Sequence, residues 1–147
     1  MLNRRLFLTA LAATPLLARS ALAESAGIYN EGGVAIGGAD PVAYFTEGKP
    51  VIGSTDHAVT WDGVEWRFAS EANRAAFEMD PARYAPEYGG YCAWAMAQGY
   101  LAQIDPEAWT IVEDRLYLNA TLGVRERWSR DIPGNIAAAD ENWPDFL

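Results

Sequence analysis

"HAVTWDGVEWRFAS", residues 57–70, decides the fold. Val59, Trp61, Trp66 and Phe68 are strand-forming residues on either side of Asp62-Gly63. Asp-Gly suits a two-residue hairpin turn because both central positions need a positive φ, which glycine adopts freely and aspartate tolerates. A hairpin over 57–69 is therefore expected. Ser70 follows it and can accept a hydrogen bond from the first turn of a helix, so a helix is expected over 71–80. Ala72, Ala76 and Met79, with Ala75 and Phe77, would give that helix an apolar side broad enough to pack on the hairpin.

Working outward, "VAIGGADPVAYF" (34–45) is an apolar run, a glycine turn and then Asp40-Pro41. Aspartate as N-cap with proline at the first helical position starts a helix at Val42 to Phe45. Residues 46–56 are loop, punctuated by Gly48, Pro50 and Gly53. Pro81 opens a short helical turn. "AWTIVEDRLYLNA" (108–120) makes a second hairpin, over 109–119, turning at Glu113-Asp114-Arg115. Val124, Trp128 and Ile132 lie at helical spacing, Pro133 breaks that helix, and a last one precedes Pro144. The pattern is α+β: one compact domain, with a small antiparallel sheet of two hairpins packed with short helices.

The first 23 residues read differently from the rest. Met1 to Arg5 are basic, Leu6 to Leu17 are mostly apolar, and Ala21-Leu22-Ala23 has the small-x-small form of a signal-peptidase site. The apolar run is about a dozen residues, short of the ~20 needed to span a bilayer. Asn3-Arg4-Arg5-Leu6-Phe7-Leu8 resembles a bacterial twin-arginine signal. The expected division is a twin-arginine signal peptide at 1–23 cleaved after Ala23, a flexible lead-in at 24–33, and a domain at 34–144. The mature chain would be periplasmic, with no stable membrane span. Its formal charge moves from −9 to −12, because Arg4, Arg5 and Arg19 leave with the signal and no acid does. So acidic a surface repels phosphates, and nucleic acid is not an expected partner.

Several motifs together resemble a known family. Asp40-Pro41-Val42, the hairpin ending in Trp66-Arg67-Phe68-Ala69-Ser70, Asn73, Phe77 and Asp80-Pro81-Ala82-Arg83-Tyr84 are similar to a YHS domain. Tyr88 through Ala93, Asp105 through Trp109, Leu116 through Asn119, Asp131 through Asn135 and Ala139 through Pro144 resemble the exported bacterial YHS-domain-containing proteins. The likeness runs over residues 34 to 144 and implies a YHS-like domain with a C-terminal helical extension. Metal-associated relatives carry cysteines where this chain has Ala43, Ala69 and Ala72 or Asn73. Their ligand set does not transfer.

The chain's one cysteine, Cys92, and one histidine, His57, bound the chemistry. A lone cysteine makes no intrachain disulfide, and two such donors do not close a zinc site. A soft metal such as copper(I) could use Cys92 with Met96, four residues on and on the same face if Tyr91 to Gln98 is helical, plus His57 or Met79. A thiol-dependent enzyme would need Cys92 activated by His57. The bland reading makes Cys92 a small apolar residue in a tight corner, its sulfur enclosed and His57 beyond contact. No cofactor-binding residues emerge: Gly37-Gly38 and Gly89-Gly90 are pairs, not the spaced glycines of a dinucleotide loop. The six tryptophans form an aromatic core by default, or a cleft for a hydrophobic ligand or protein partner. The expected function is an exported, non-enzymatic accessory domain binding a metal or small ligand. The alternatives are a protein–protein interaction module and an enzyme using Cys92.

Overall fold

Asp62 and Gly63 both take positive φ, 49° and 80°, and the chain reverses there between β3 (Ser54–Trp61) and β4 (Val64–Phe68). The computed structural model describes residues 25–147, so the signal peptide expected at 1–23 lies outside the described residues. Before the hairpin come β1 (Asn30–Glu31), β2 (Val34–Ala35) and the short helix α1 (Ala43–Thr46). After it come α2 (Glu71–Met79), α3 (Pro81–Tyr84), α4 (Ala93–Gln98), β5 (Asp105–Val112), β6 (Arg115–Asn119), α5 (Leu122–Ser129) and α6 (Ile132–Asn142). Tight 3-10 turns lie at Ile36–Gly38, Tyr88–Gly90 and Trp143–Phe146.

The α+β reading holds, but its one sheet resolves into two. A four-stranded sheet has the order β1-β2-β4-β3, and β5 and β6 form a separate ribbon. β2 joins β4 in parallel at Val34↔Glu65, so the inner edge of the first hairpin is filled by the N-terminal segment rather than by the second hairpin. The flexible lead-in expected at 24–33 contains β1, and it is tied down further by Ala26 N–H donating to Phe146 O and Tyr29 N–H to Gly89 O. The second hairpin begins earlier than expected, at Asp105. It turns on two residues, Glu113 and Asp114, both at positive φ.

β4 alternates cleanly: Val64, Trp66 and Phe68 are buried, Glu65 and Arg67 less so. Its inward residues meet Phe77 of α2, whose ring centroid lies 5.1 Å from both Trp66 and Phe68 and 5.6 Å from Trp61. Ser70 caps α2 as expected, accepting from Asn73 N–H at 3.1 Å. Met79, assigned above to the apolar side, is 88% exposed. Two residues past Phe77, at about 100° per residue, it points away from the hairpin.

Asp40 is wholly buried and holds three elements together. Its Oδ1 accepts from Val42 N–H at 2.9 Å and Ala43 N–H at 3.2 Å, starting α1. Its Oδ2 accepts from Ala69 N–H and from the Asn73 side-chain amide, each at 2.8 Å, fixing the end of β4 to α2. Every oxygen is thus used, as burial requires. Two hydrophobic clusters flank this hub: a main one around Trp66, Phe68, Phe77, Leu116 and Leu118, and a second around Tyr88, Met96, Tyr117 and Trp128.

Asp40→Ala leaves four donors without their acceptor and is expected to lower unfolding stability in urea by about 3 kcal/mol or more. Asp40→Asn should cost nearly as much, because whichever way its amide turns, an NH2 group faces two N–H donors. Either variant unfolding within ~0.5 kcal/mol of wild type would contradict this role.

Candidate functional site

Cys92 sits at the N-cap of α4, its backbone non-helical at φ −54° and ψ 119°. It is 1% exposed. Its thiol donates to Asn119 Oδ1 at 3.5 Å, and the same oxygen accepts from Trp94 N–H at 3.0 Å. Asn119, also fully buried, thereby pins the start of α4 to β6, while its Nδ2 has no hydrogen-bond partner among the described residues.

Met96 is buried too, but Cys92 packs in the main cluster and Met96 in the second. Met96 N–H donates to the Cys92 carbonyl at 3.0 Å, closing the first turn of the helix that Cys92 caps. His57 lies in a bulge of the edge strand β3, between Ser54 and Ala58, with Nδ1 3.5 Å from Glu71 Oε2. Among the described residues, no hydrogen bond or ion pair joins His57 to Cys92 or Met96. None of their groupings of three or more His, Cys, Asp or Glu side chains is placed to hold a metal ion.

Glu71 is itself committed elsewhere. Arg74 bonds it within α2, and that contact, with His57 secondary, holds its carboxyl below the usual glutamate value. His57 therefore sits beside an exposed ion-pair network, an arrangement ordinary for a helix surface.

The tryptophans do open a cleft. Its volume is about 370 Å³. One part of its wall is the hairpin turn, with Trp61 and Asp62, and another is Trp143 from the C-terminal 3-10 turn. The floor is the segment carrying Glu87, Tyr88 and Gly89, and the lead-in at Gly27 and Ile28 closes one end. Each wall is held in place. Trp61 rests on Trp66 and Phe77, at 5.7 and 5.6 Å between centroids. Trp143 stacks on Phe146 and meets Tyr88 and Tyr91.

Gly89 explains how the floor meets the lead-in. It takes φ 62°, and a Cβ there would collide with the carbonyl oxygen of Gly27. Only glycine allows that approach. Beside it Tyr88 also takes a positive φ, 58°, and its hydroxyl donates to Asp140 Oδ1 at 2.9 Å. Burial, then the Asp140 carboxylate, raises the Tyr88 hydroxyl far above an ordinary tyrosine. Glu87 is half-buried, and its carboxyl makes no hydrogen bond within the described residues. Burial raises its pKa above the usual glutamate value, Arg115 opposes that shift, and Asp140 adds to it.

The hairpin, α2 with its serine cap, α3 and the first half of the cleft floor fall within one contiguous match. Residues 42–88 match the YHS domain family. That segment carries α1 through the Tyr88 turn, and so contains His57, Trp61, Asp62 and Glu87, whereas Cys92, Met96 and Trp143 lie beyond it. Searches of the curated proteins and of the solved structures return no match. The cleft is therefore lined both from within the matched segment and from residues on either side of it.

Sequence reasoning reached Trp61 and Trp143 only as members of a set of six tryptophans, and it did not single out Glu87. The signal that could have singled out the floor was Tyr88-Gly89-Gly90, a tight turn needing two or more residues at positive φ.

In the folded protein the Cys92 thiol should react with a disulfide reagent on the order of 100-fold more slowly than in urea-unfolded protein, since a buried thiol reacts only on opening. Equal rates in the two states would show the sulfur to be open.

Proposed function

We propose that this chain is an exported, non-enzymatic accessory domain that holds a small ligand in the cleft between the hairpin turn and the C-terminal 3-10 turn. The observation that carries the reading is the cleft itself: about 370 Å³, with Trp61 and Trp143 both in its lining. Sites for small molecules run to roughly 300–1,000 Å³ and are walled largely by aromatic and apolar groups with a few polar ones. The volume suits a compact ligand. A role without covalent chemistry is supported by the enclosure of Cys92 and by the engagement of His57 with Glu71 rather than with the thiol.

The soft-metal alternative draws on the YHS match and would place copper on Cys92, Met96 and His57. It would need Cys92 and Met96, now in different clusters, to swing together, and His57 to leave β3's bulge. Titration of the reduced protein with Cu(I) decides it: stoichiometric uptake abolished by Cys92→Ala would favour the metal over the cleft.

The ligand reading is tested by NMR titration with 2-phenylethanol, a neutral aromatic probe of suitable size. Saturable amide shifts should cluster at Trp61, Gly27, Ile28, Glu87 to Gly89 and Trp143. Shifts scattered over the surface, or none with this probe, 2-phenylethylamine or phenylacetate, would sink it.

The exported state rests on residues 1–23. Expressed in a bacterium with a twin-arginine pathway, the chain should be recovered from the periplasm starting at Glu24. Arg4→Lys with Arg5→Lys should leave an unprocessed precursor inside the cell. Export unaffected by the double substitution would assign the general secretory route instead.

A further inference from the structure

We infer that the cleft selects an organic ammonium ion, a compact amine on an apolar skeleton, over neutral and anionic molecules of the same shape. This rests on the cleft being a ligand site, and it adds the charge of the ligand. Among the described residues, the charged side chains lining the cleft are Asp62 and Glu87, with no lysine, arginine or histidine. The C-terminal residue, Leu147, stands at the rim. Trp61 and Trp143 also line it, and the electron-rich faces of such rings attract cations and do nothing for anions.

Glu87 makes the case specific. It is half-buried, and no donor among the described residues hydrogen-bonds its carboxyl. Arg115 on β6 is the cation that acts on it, and Asp140 on α6 acts in the opposite sense. An ammonium group entering the cleft would supply the missing donor and offset the partly desolvated charge. The chain's formal charge of −9 adds a long-range field that draws cations and repels carboxylates and phosphates. Two acids without a third donor hold a bare metal ion poorly, whereas two acids between aromatic rings suit a charged head on an apolar body.

Three matched probes test this in the full-length chain: 2-phenylethylamine, 2-phenylethanol and phenylacetate, followed by calorimetry and tryptophan fluorescence. The amine should bind about tenfold or more tightly than the alcohol, the size of one charge-assisted hydrogen bond, and phenylacetate weakest of all. The amine's advantage should shrink as salt is raised, because Asp62 is exposed. Glu87→Gln should bring amine and alcohol to within a few-fold of each other, chiefly by weakening the amine. Asp62→Asn is a second variant that keeps the fold, since Asn-Gly serves the same turn as Asp-Gly, and it should narrow the gap in part. Equal affinity for amine and alcohol in the wild type would overturn the charge selection and leave the small-ligand reading standing. Failure of all three probes to bind would overturn both.

Discussion

One carboxylate organises this fold. Asp40 has no exposed surface, and its two oxygens serve four N–H donors drawn from the start of α1, the end of β4 and the first turn of α2. A buried acceptor of this kind is costly to leave unmatched, so the three elements are constrained to arrive together. Once they do, Phe77 is carried onto Trp66 and Phe68, and Trp61 is propped at the hairpin turn. The polar hub thus sets the geometry that the apolar core then fills.

The cleft follows from a second constraint, the approach of chain segments distant in sequence. The lead-in hydrogen-bonds to Gly89 on one side and to Phe146 on the other. Gly89 lies against Gly27 because it lacks a side chain, and Trp143 stacks over the same corner. The walls therefore come from the start of the described chain, from the segment that matches the YHS domain family and from the residues beyond it. The cleft's shape depends on how both ends of the described chain are seated.

Cys92 shows why a lone sulfur is hard to read along the chain. Its neighbours in sequence are aromatic and small, compatible with metal, nucleophile or filler. In space it abuts Asn119, an amide 27 residues on, which accepts from both the thiol and the N–H of Trp94. The i, i+4 relation to Met96 assumed that the helix includes Cys92. It starts one residue later, with Cys92 extended, and the two sulfur side chains part into different clusters.

Local chemistry was legible from the residues alone: the hairpin at Asp62-Gly63, the Ser70 cap on α2, the turn of the second ribbon, and the α+β class. Each depends on φ preferences or on hydrogen bonds reaching two to four residues, which a linear string displays. The parallel joining of β2 to β4, the division into two sheets, the outward turn of Met79 and the cleft were decided only in three dimensions. Asp40 spans both regimes. Its cap on α1 could be read from Asp-Pro, but the bonds from Oδ2 reach 29 and 33 residues along the chain. Nothing short-range encodes such partners, because a buried acceptor takes whichever donors the packed core delivers to it.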